Sequence, residues 1–214
     1  MWVQLKSVQH ISERGVQRTR YPGDWVDIGK QTAMLWVGKG LAVVPSLEVT
    51  QALMADGAGV LVRGNVEQAR ILLEAYRQTL AIETGEPRAA YNRTLIWNTD
   101  LHLRLELVPV GMGLLEKWEI ACPILSYERL AVHTAAHDER EKTRQVVRDL
   151  RVPLYDTRLI FVRRTPDTTR LFDLWQAELS EGADEQHSFL RALYTVKPFV
   201  LALPTTWTDS HALR

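Results

Sequence analysis

The sequence holds a single cysteine, Cys122, in 214 residues. With no partner for an internal disulfide, a fold stapled by disulfides is excluded. Cys122 stands in the apolar stretch Ile120-Ala121-Cys122-Pro123-Ile124, which reads as a buried small hydrophobe. A surplus of either charge is missing too, since 26 Lys+Arg balance 26 Asp+Glu. A protein that grips nucleic acid by its phosphates needs an excess of positive charge, so nucleic acid is not expected as a partner. No apolar run reaches the roughly 20 residues that a membrane-spanning helix requires, and no span is expected. The amino terminus, Met1-Trp2-Val3-Gln4-Leu5-Lys6, lacks the apolar block of a signal peptide, so a cytoplasmic site of action is expected. What remains is 46% hydrophobic and 24% charged, the balance of an ordinary globular protein. Tryptophan is plentiful, with seven residues at 2, 25, 36, 97, 118, 175 and 207. They are spread along the chain, as core-packing residues are.

Residues 1–45 read as a small β-rich unit. Trp2 to Lys6 alternates in the manner of a strand. Tyr21-Pro22-Gly23-Asp24 is a turn, with Pro pre-set for its second position and Gly free to take positive φ. Trp25 to Ile28 alternates again, residues 30–39 suit a short helix stopped by Gly40, and Leu41 to Val44 suits a strand. The turn-strand Tyr21 to Val26 and the exit Gly40-Leu41-Ala42 resemble small N-terminal modules of bacteriophage proteins. The unit has no catalytic set, and Asp24 and Asp27 read as turn and surface residues. Its three tryptophans, Trp2, Trp25 and Trp36, suggest self-association or docking to a larger assembly, because Trp is enriched at binding hot spots. Alternatively they form the unit's own small core.

Residues 46–58 form a linker, and 59–214 read as an α/β domain. Gly59 to Arg63 is an apolar strand. Asn65 can cap a helix whose apolar face is Val66, Ala69, Leu73, Tyr76 and Leu80, stopped by Gly85-Glu86-Pro87. Thr94 to Trp97 is a strand, Gly111-Met112-Gly113 a turn, Leu114 to Trp118 a short helix and Ile120 to Leu125 a strand. Residues 138–150 form a charged helix with Val146, Val147 and Leu150 on one side. Leu159 to Val162 is a buried strand, and Thr165-Pro166-Asp167 starts a helix faced by Leu171, Leu174, Trp175 and Leu179. A helix over 184–195 and a strand over 199–203 close the pattern. Alternating strands and helices predict a mixed, mainly parallel sheet covered on both faces.

In such a sheet ligands bind at the carboxyl ends of the strands, and Asn98-Thr99-Asp100 lies at one. A carboxylate there can join a divalent cation to substrate phosphates, or simply cap a loop. His133 and His137 share a helix spacing without the intervening Glu of a zinc protease, and no Gly-x-Ser-x-Gly elbow is present.

The order of segments over 94–207 resembles the sugar-nucleotide-dependent glycosyltransferases of the GT-A fold. Their Asp-x-Asp strand end is matched by Asn98-Thr99-Asp100, and the helix and strand that follow by Gly113 to Ala121. The Asn-Thr-Gly turn and strand ending in Arg are matched by Tyr155-Asp156-Thr157-Arg158 through Arg164. The helix with a central Trp is matched at Trp175, the Asp-Gln-x-x-Phe helix by Glu185 to Phe189, and the closing Leu-Pro turn by Leu203 to Thr208. Asn98, Arg158, Glu185 and Thr208 depart from the family's Asp, Gly, Asp and Asn. The resemblance implies a GT-A-like domain that binds a nucleotide-sugar through Mn2+ or Mg2+ and transfers the sugar to an acceptor. Asp100 and Asn98, with His211, would hold the metal. Arg63, Arg158 and Arg163 would contact phosphate, and Glu185 would be the general base. The alternative is a non-catalytic structural or adaptor protein, such as a phage-encoded one, on a degenerate transferase fold.

Overall fold

The computed structural model describes residues 2–13, 16–43, 57–73, 80–104, 106–125, 130–131 and 136–208. The chain divides into two compact units, Met1–Leu53 and Met54–Arg214.

In the first unit, strands β1 (Trp2–Leu5), β4 (Trp25–Asp27) and β5 (Ala42–Val43) form an antiparallel sheet in the order β4-β1-β5. Helix α1 (Lys30–Gly38) joins the last two strands. The turn before β4 is built as its residues dictate. Gly23 takes φ +88°, the Asp24 amide donates to the Tyr21 carbonyl, and the Asp24 carboxylate accepts the Tyr21 amide, both at 3.0 Å. Asp24 is thus a turn residue. A second ribbon, β2 (Gln9–Glu13) paired with β3 (Val16–Arg20), has no counterpart in the sequence reading. Its strands are mostly polar, so apolar alternation gives no signal; among the described side chains, Ile11 lies in the core. That core is Val3, Leu5, Ile11, Val26, Ala33 and Ala42, with Trp36 partly buried against it.

The second unit is a six-stranded sheet between helices. Its strands are β6 (Ala58–Arg63), β7 (Ala81–Thr84), β8 (Arg93–Asn98), β9 (Ile120–Pro123), β10 (Leu159–Arg163) and β11 (Val200–Leu203). They lie in the order β11-β9-β10-β8-β6-β7. Only β10 runs against its neighbours; the β9–β11, β6–β8 and β6–β7 pairs are parallel. Mixed α/β architecture with a mostly parallel sheet is as expected. β8 is buried at Thr94, Leu95, Ile96 and Trp97, because helices cover both faces.

Helices α5 (Pro166–Ser180) and α6 (Glu185–Val196) pack Leu171, Phe172, Trp175 and Phe189 onto Ile96, Ile160 and Val162 on one face. Each fully buried aromatic of this kind contributes roughly 1.5–3 kcal/mol. Thr165 starts α5 as predicted: its hydroxyl accepts the Thr168 amide at 3.1 Å, and the Thr168 hydroxyl accepts the Thr165 amide at 2.9 Å. The other face receives helix α3 (Leu107–Leu114), buried at every position. The sequence reading put a turn at Gly111 and a helix only at 114–118. An all-buried helix has no polar face and hence no amphipathic period to read. Gly111 is needed there because a Cβ would stand 2.2 Å from the Phe161 ring.

Two further expectations are corrected. Helix α2 is described over Val66–Leu72, capped by Asn65 accepting the Gln68 amide at 3.1 Å, but Leu80 leads into strand β7 and not a helix. The charged helix α4 (His137–Val147) ends earlier than expected, where Arg148 takes φ +66°, and Val146 is exposed while Val147 and Leu150 are buried. Arg191 of α6 ties the helices together. It pairs with Glu139 of α4 at 2.7 Å and with Glu178 of α5, and donates to the Thr143 hydroxyl at 2.7 Å.

Candidate functional site at the carboxyl ends of β6 and β8

Strand order reverses at β6. The chain goes from β6 to β7 on one side, then returns to β8 on the other. The crevice outside the carboxyl ends of β6 and β8 is therefore a topological switch point, where open α/β sheets bind ligands. Register sets Arg63 beside Asn98 there.

The two strand ends are sewn together by backbone. The Thr99 amide donates to the Arg63 carbonyl at 2.9 Å, and the Asn65 amide to the Thr99 hydroxyl at 2.8 Å. Gly64 between them takes φ +106°, and a Cβ on it would stand 2.4 Å from Thr99 Oγ1. Only glycine fits both constraints. Asn98 turns its carboxamide oxygen inward to accept the Asp100 amide at 3.0 Å, leaving Asp100 exposed.

Glu185 arrives from the first turn of α6. Its Oε1 accepts from Arg63 Nη1 at 2.6 Å and from the buried Thr157 hydroxyl at 2.9 Å. Arg158 enters through the chain before β10, where its carbonyl accepts the Asn98 amide at 2.8 Å. Its guanidinium forks onto the buried Asp156 carboxylate at 2.8 and 2.6 Å. The site thus gathers Arg63, Asn98, Asp100, Arg158 and Glu185.

Arg163 does not join them. β10 runs antiparallel, so its last residue pairs with Arg93, the first of β8. At about 3.3 Å per residue, the six-residue β8 sets the two sheet ends roughly 17 Å apart. Arg163 therefore cannot share a phosphate with Arg63; strand direction, which sequence pattern does not carry, decides this. His211 and His133 lie outside the described residues.

Asp184 caps α6. Burial pushes its carboxyl up, but hydrogen bonds from the His187 amide and ring and the Gln186 amide outweigh it and hold the group below its ordinary value. His187 is buried with Nδ1 2.8 Å from Asp184 and Nε2 3.1 Å from the Ala131 carbonyl. Each ring nitrogen thus has an oxygen partner, and the ring is fixed between α6 and Ala131. Burial, then the Asp156 charge, pushes the Cys122 thiol well up, so Cys122 is an inert core residue and not a nucleophile.

Gly64, Thr99 and Thr157 were missed as site residues. The glycine directly after an apolar strand was the readable signal for the first; the threonines act only through contacts made by the fold.

The donors described do not make a divalent-cation set by themselves. Asn98 is engaged by Asp100, Glu185 by Arg63 and Asp156 by Arg158. Among the described residues, no three His, Cys, Asp or Glu side chains stand together as ligands. No described helix is long and apolar enough to cross a membrane.

The fold and site define a mixed α/β protein with a polar, partly ion-paired cluster at a switch point. Comparison with protein-family models, curated proteins and solved structures finds no match to this chain.

Proposed function

We propose that residues 59–214 form a GT-A-like glycosyltransferase unit that binds a nucleotide-sugar at the carboxyl ends of β6 and β8. The supporting observation is the meeting of Arg63, Asn98–Asp100, Thr157 and Glu185 where strand order reverses. Arg63 is the pivot. A diphosphate offers it two charges and a bidentate fit in place of one carboxylate oxygen. On donor binding Arg63 changes partner, and Glu185 stays oriented by Thr157. Glu185 then takes the proton of an acceptor hydroxyl as that oxygen bonds to the anomeric carbon. The bond from the anomeric carbon to the diphosphate breaks, and the nucleoside diphosphate leaves with its charge against Arg63 and Arg158. No step is routed through a cation.

A second reading, a non-catalytic structural or adaptor protein on the same fold, draws on a specific observation. Two carboxylates at the site are already paired, Glu185 with Arg63 and Asp156 with Arg158, and Asn98 stands where a metal motif has a carboxylate. In either reading residues 1–45 are proposed to mediate self-association or docking. Removing them should lower the mass seen by light scattering while leaving the second unit folded by circular dichroism.

Thermal unfolding with UDP-, GDP- and TDP-sugars, each with and without Mn2+ or Mg2+, separates the two. A ligand at 100 times its Kd adds about 2.7 kcal/mol, or roughly 5–10 °C for a unit of this size. Stabilisation by one nucleotide class supports the transferase reading; none by any class supports the structural one.

A further inference from the structure

At the opposite end of the sheet, positive charges meet with little compensation among the described residues. Arg93 opens β8 and Arg163 closes β10, directly opposite each other in register, and Arg164 follows at once. Like charges facing across paired strands destabilise a sheet. With Gly57 and Asn92, the three arginines line a pocket of about 550 Å3. Their partners are mostly carbonyls. Arg93 Nη1 donates to Met112 at 3.0 Å, Arg163 Nη1 to Glu116 at 3.1 Å, and Arg164 Nη1 to Ala90 at 3.5 Å. Among the described residues, the carboxylate in reach is the exposed Glu116, 3.9 Å from Arg93. Glu119 is turned elsewhere, its oxygens accepting from the Thr165 hydroxyl at 2.7 Å and the Phe199 amide at 2.9 Å. Arg163 Nε is buried and has no partner among the described residues.

Arg93 and Arg163 have a structural role, since they bind carbonyls at the carboxyl end of α3, where positive charge is favourable. That role accounts for neither Arg164 nor the unpaired Nε of Arg163.

We propose that this pocket binds a phosphate-class oxyanion carried on a small molecule, held by Arg93, Arg163 and Arg164. Guanidinium forks match phosphate oxygens bidentately. The volume falls within the roughly 300–1,000 Å3 of small-molecule sites. The pocket is independent of the nucleotide-sugar crevice, which depends on Arg63.

The test is a pyrophosphate titration of the full chain at fixed ionic strength, followed by the amide resonances of Asn92, Arg93 and Arg164, with chloride as control. The expected result is a saturable shift at these amides, with affinity at least tenfold weaker in Arg164→Gln. That variant loses only one long side-chain hydrogen bond and should keep the wild-type spectrum elsewhere. No shift beyond chloride, or equal affinity in Arg164→Gln, overturns the proposal. So does a single-stranded oligonucleotide that moves these amides where pyrophosphate does not, because it replaces the small molecule with nucleic acid. Failure here leaves the Arg63 crevice untouched, and failure of the crevice leaves this pocket untouched.

Discussion

The two ends of the six-stranded sheet hold similar residues in opposite states. At the carboxyl end, Arg63 and Arg158 each face a carboxylate at 2.6 Å. At the amino end, among the described residues, Arg93 has a carboxylate at 3.9 Å while the side chains of Arg163 and Arg164 reach carbonyls. Both ends rest on the same strands, so packing does not explain the contrast; the difference lies in what the connecting segments deliver. The carboxyl end receives Glu185 from α6 and Asp156 from the approach to β10. The amino end receives the backbone carbonyls of α3 and its following turn. A paired crevice is stable empty and must exchange partners to bind, whereas an unpaired pocket gains charge compensation on binding.

Breaking the shared frame should erase both ends together. Arg191→Ala leaves Glu139 and Glu178 without their cation, and the loss of a buried pair costs roughly 3–5 kcal/mol. Urea unfolding should show a lower midpoint, with ligand responses lost at both ends.

Cutting one end should spare the other. Asp184→Ala removes the cap of α6, at about 1 kcal/mol. It should also change the pH profile. The carboxyl is held below its ordinary 3.8, so its contribution is present above the unfolded value and lost as pH falls through the lower folded one. Stability curves between about pH 5 and 2 should therefore fall less steeply in the variant than in the wild type. Glu185→Gln weakens a half-exposed pair, costing about 1 kcal/mol or less after solvent screening. It should abolish sugar transfer while pyrophosphate still shifts the Arg164 amide.

The smallest expected effect is at the amino end. Arg164→Gln should leave the unfolding free energy of the unliganded chain within about 0.5 kcal/mol of wild type.

How far the sequence could be read follows the same division. Apolar strands such as β6, β8 and β10, and starts such as Thr165-Pro166, were legible because burial on both faces and capping leave local marks. Arg63, Asn98, Asp100, Arg158 and Glu185 each stand at a strand end, turn or helix start that the sequence marks, but their meeting is a product of the fold. The polar β2–β3 ribbon, the exposed edge strand β7 and the wholly buried α3 left no period to read. The amino-end pocket was illegible for another reason. Arg163 and Arg93 are 70 positions apart, as their numbers give, and only the reversed direction of β10 brings them together.

Calorimetric titration of the stabilising nucleotide-sugar into wild type, Arg63→Ala and Arg164→Gln tests the switch-point site most directly. The predicted result is affinity at least tenfold weaker in Arg63→Ala and unchanged in Arg164→Gln. Binding that survives Arg63→Ala, or is lost in Arg164→Gln instead, contradicts a nucleotide-sugar site at the carboxyl ends of β6 and β8.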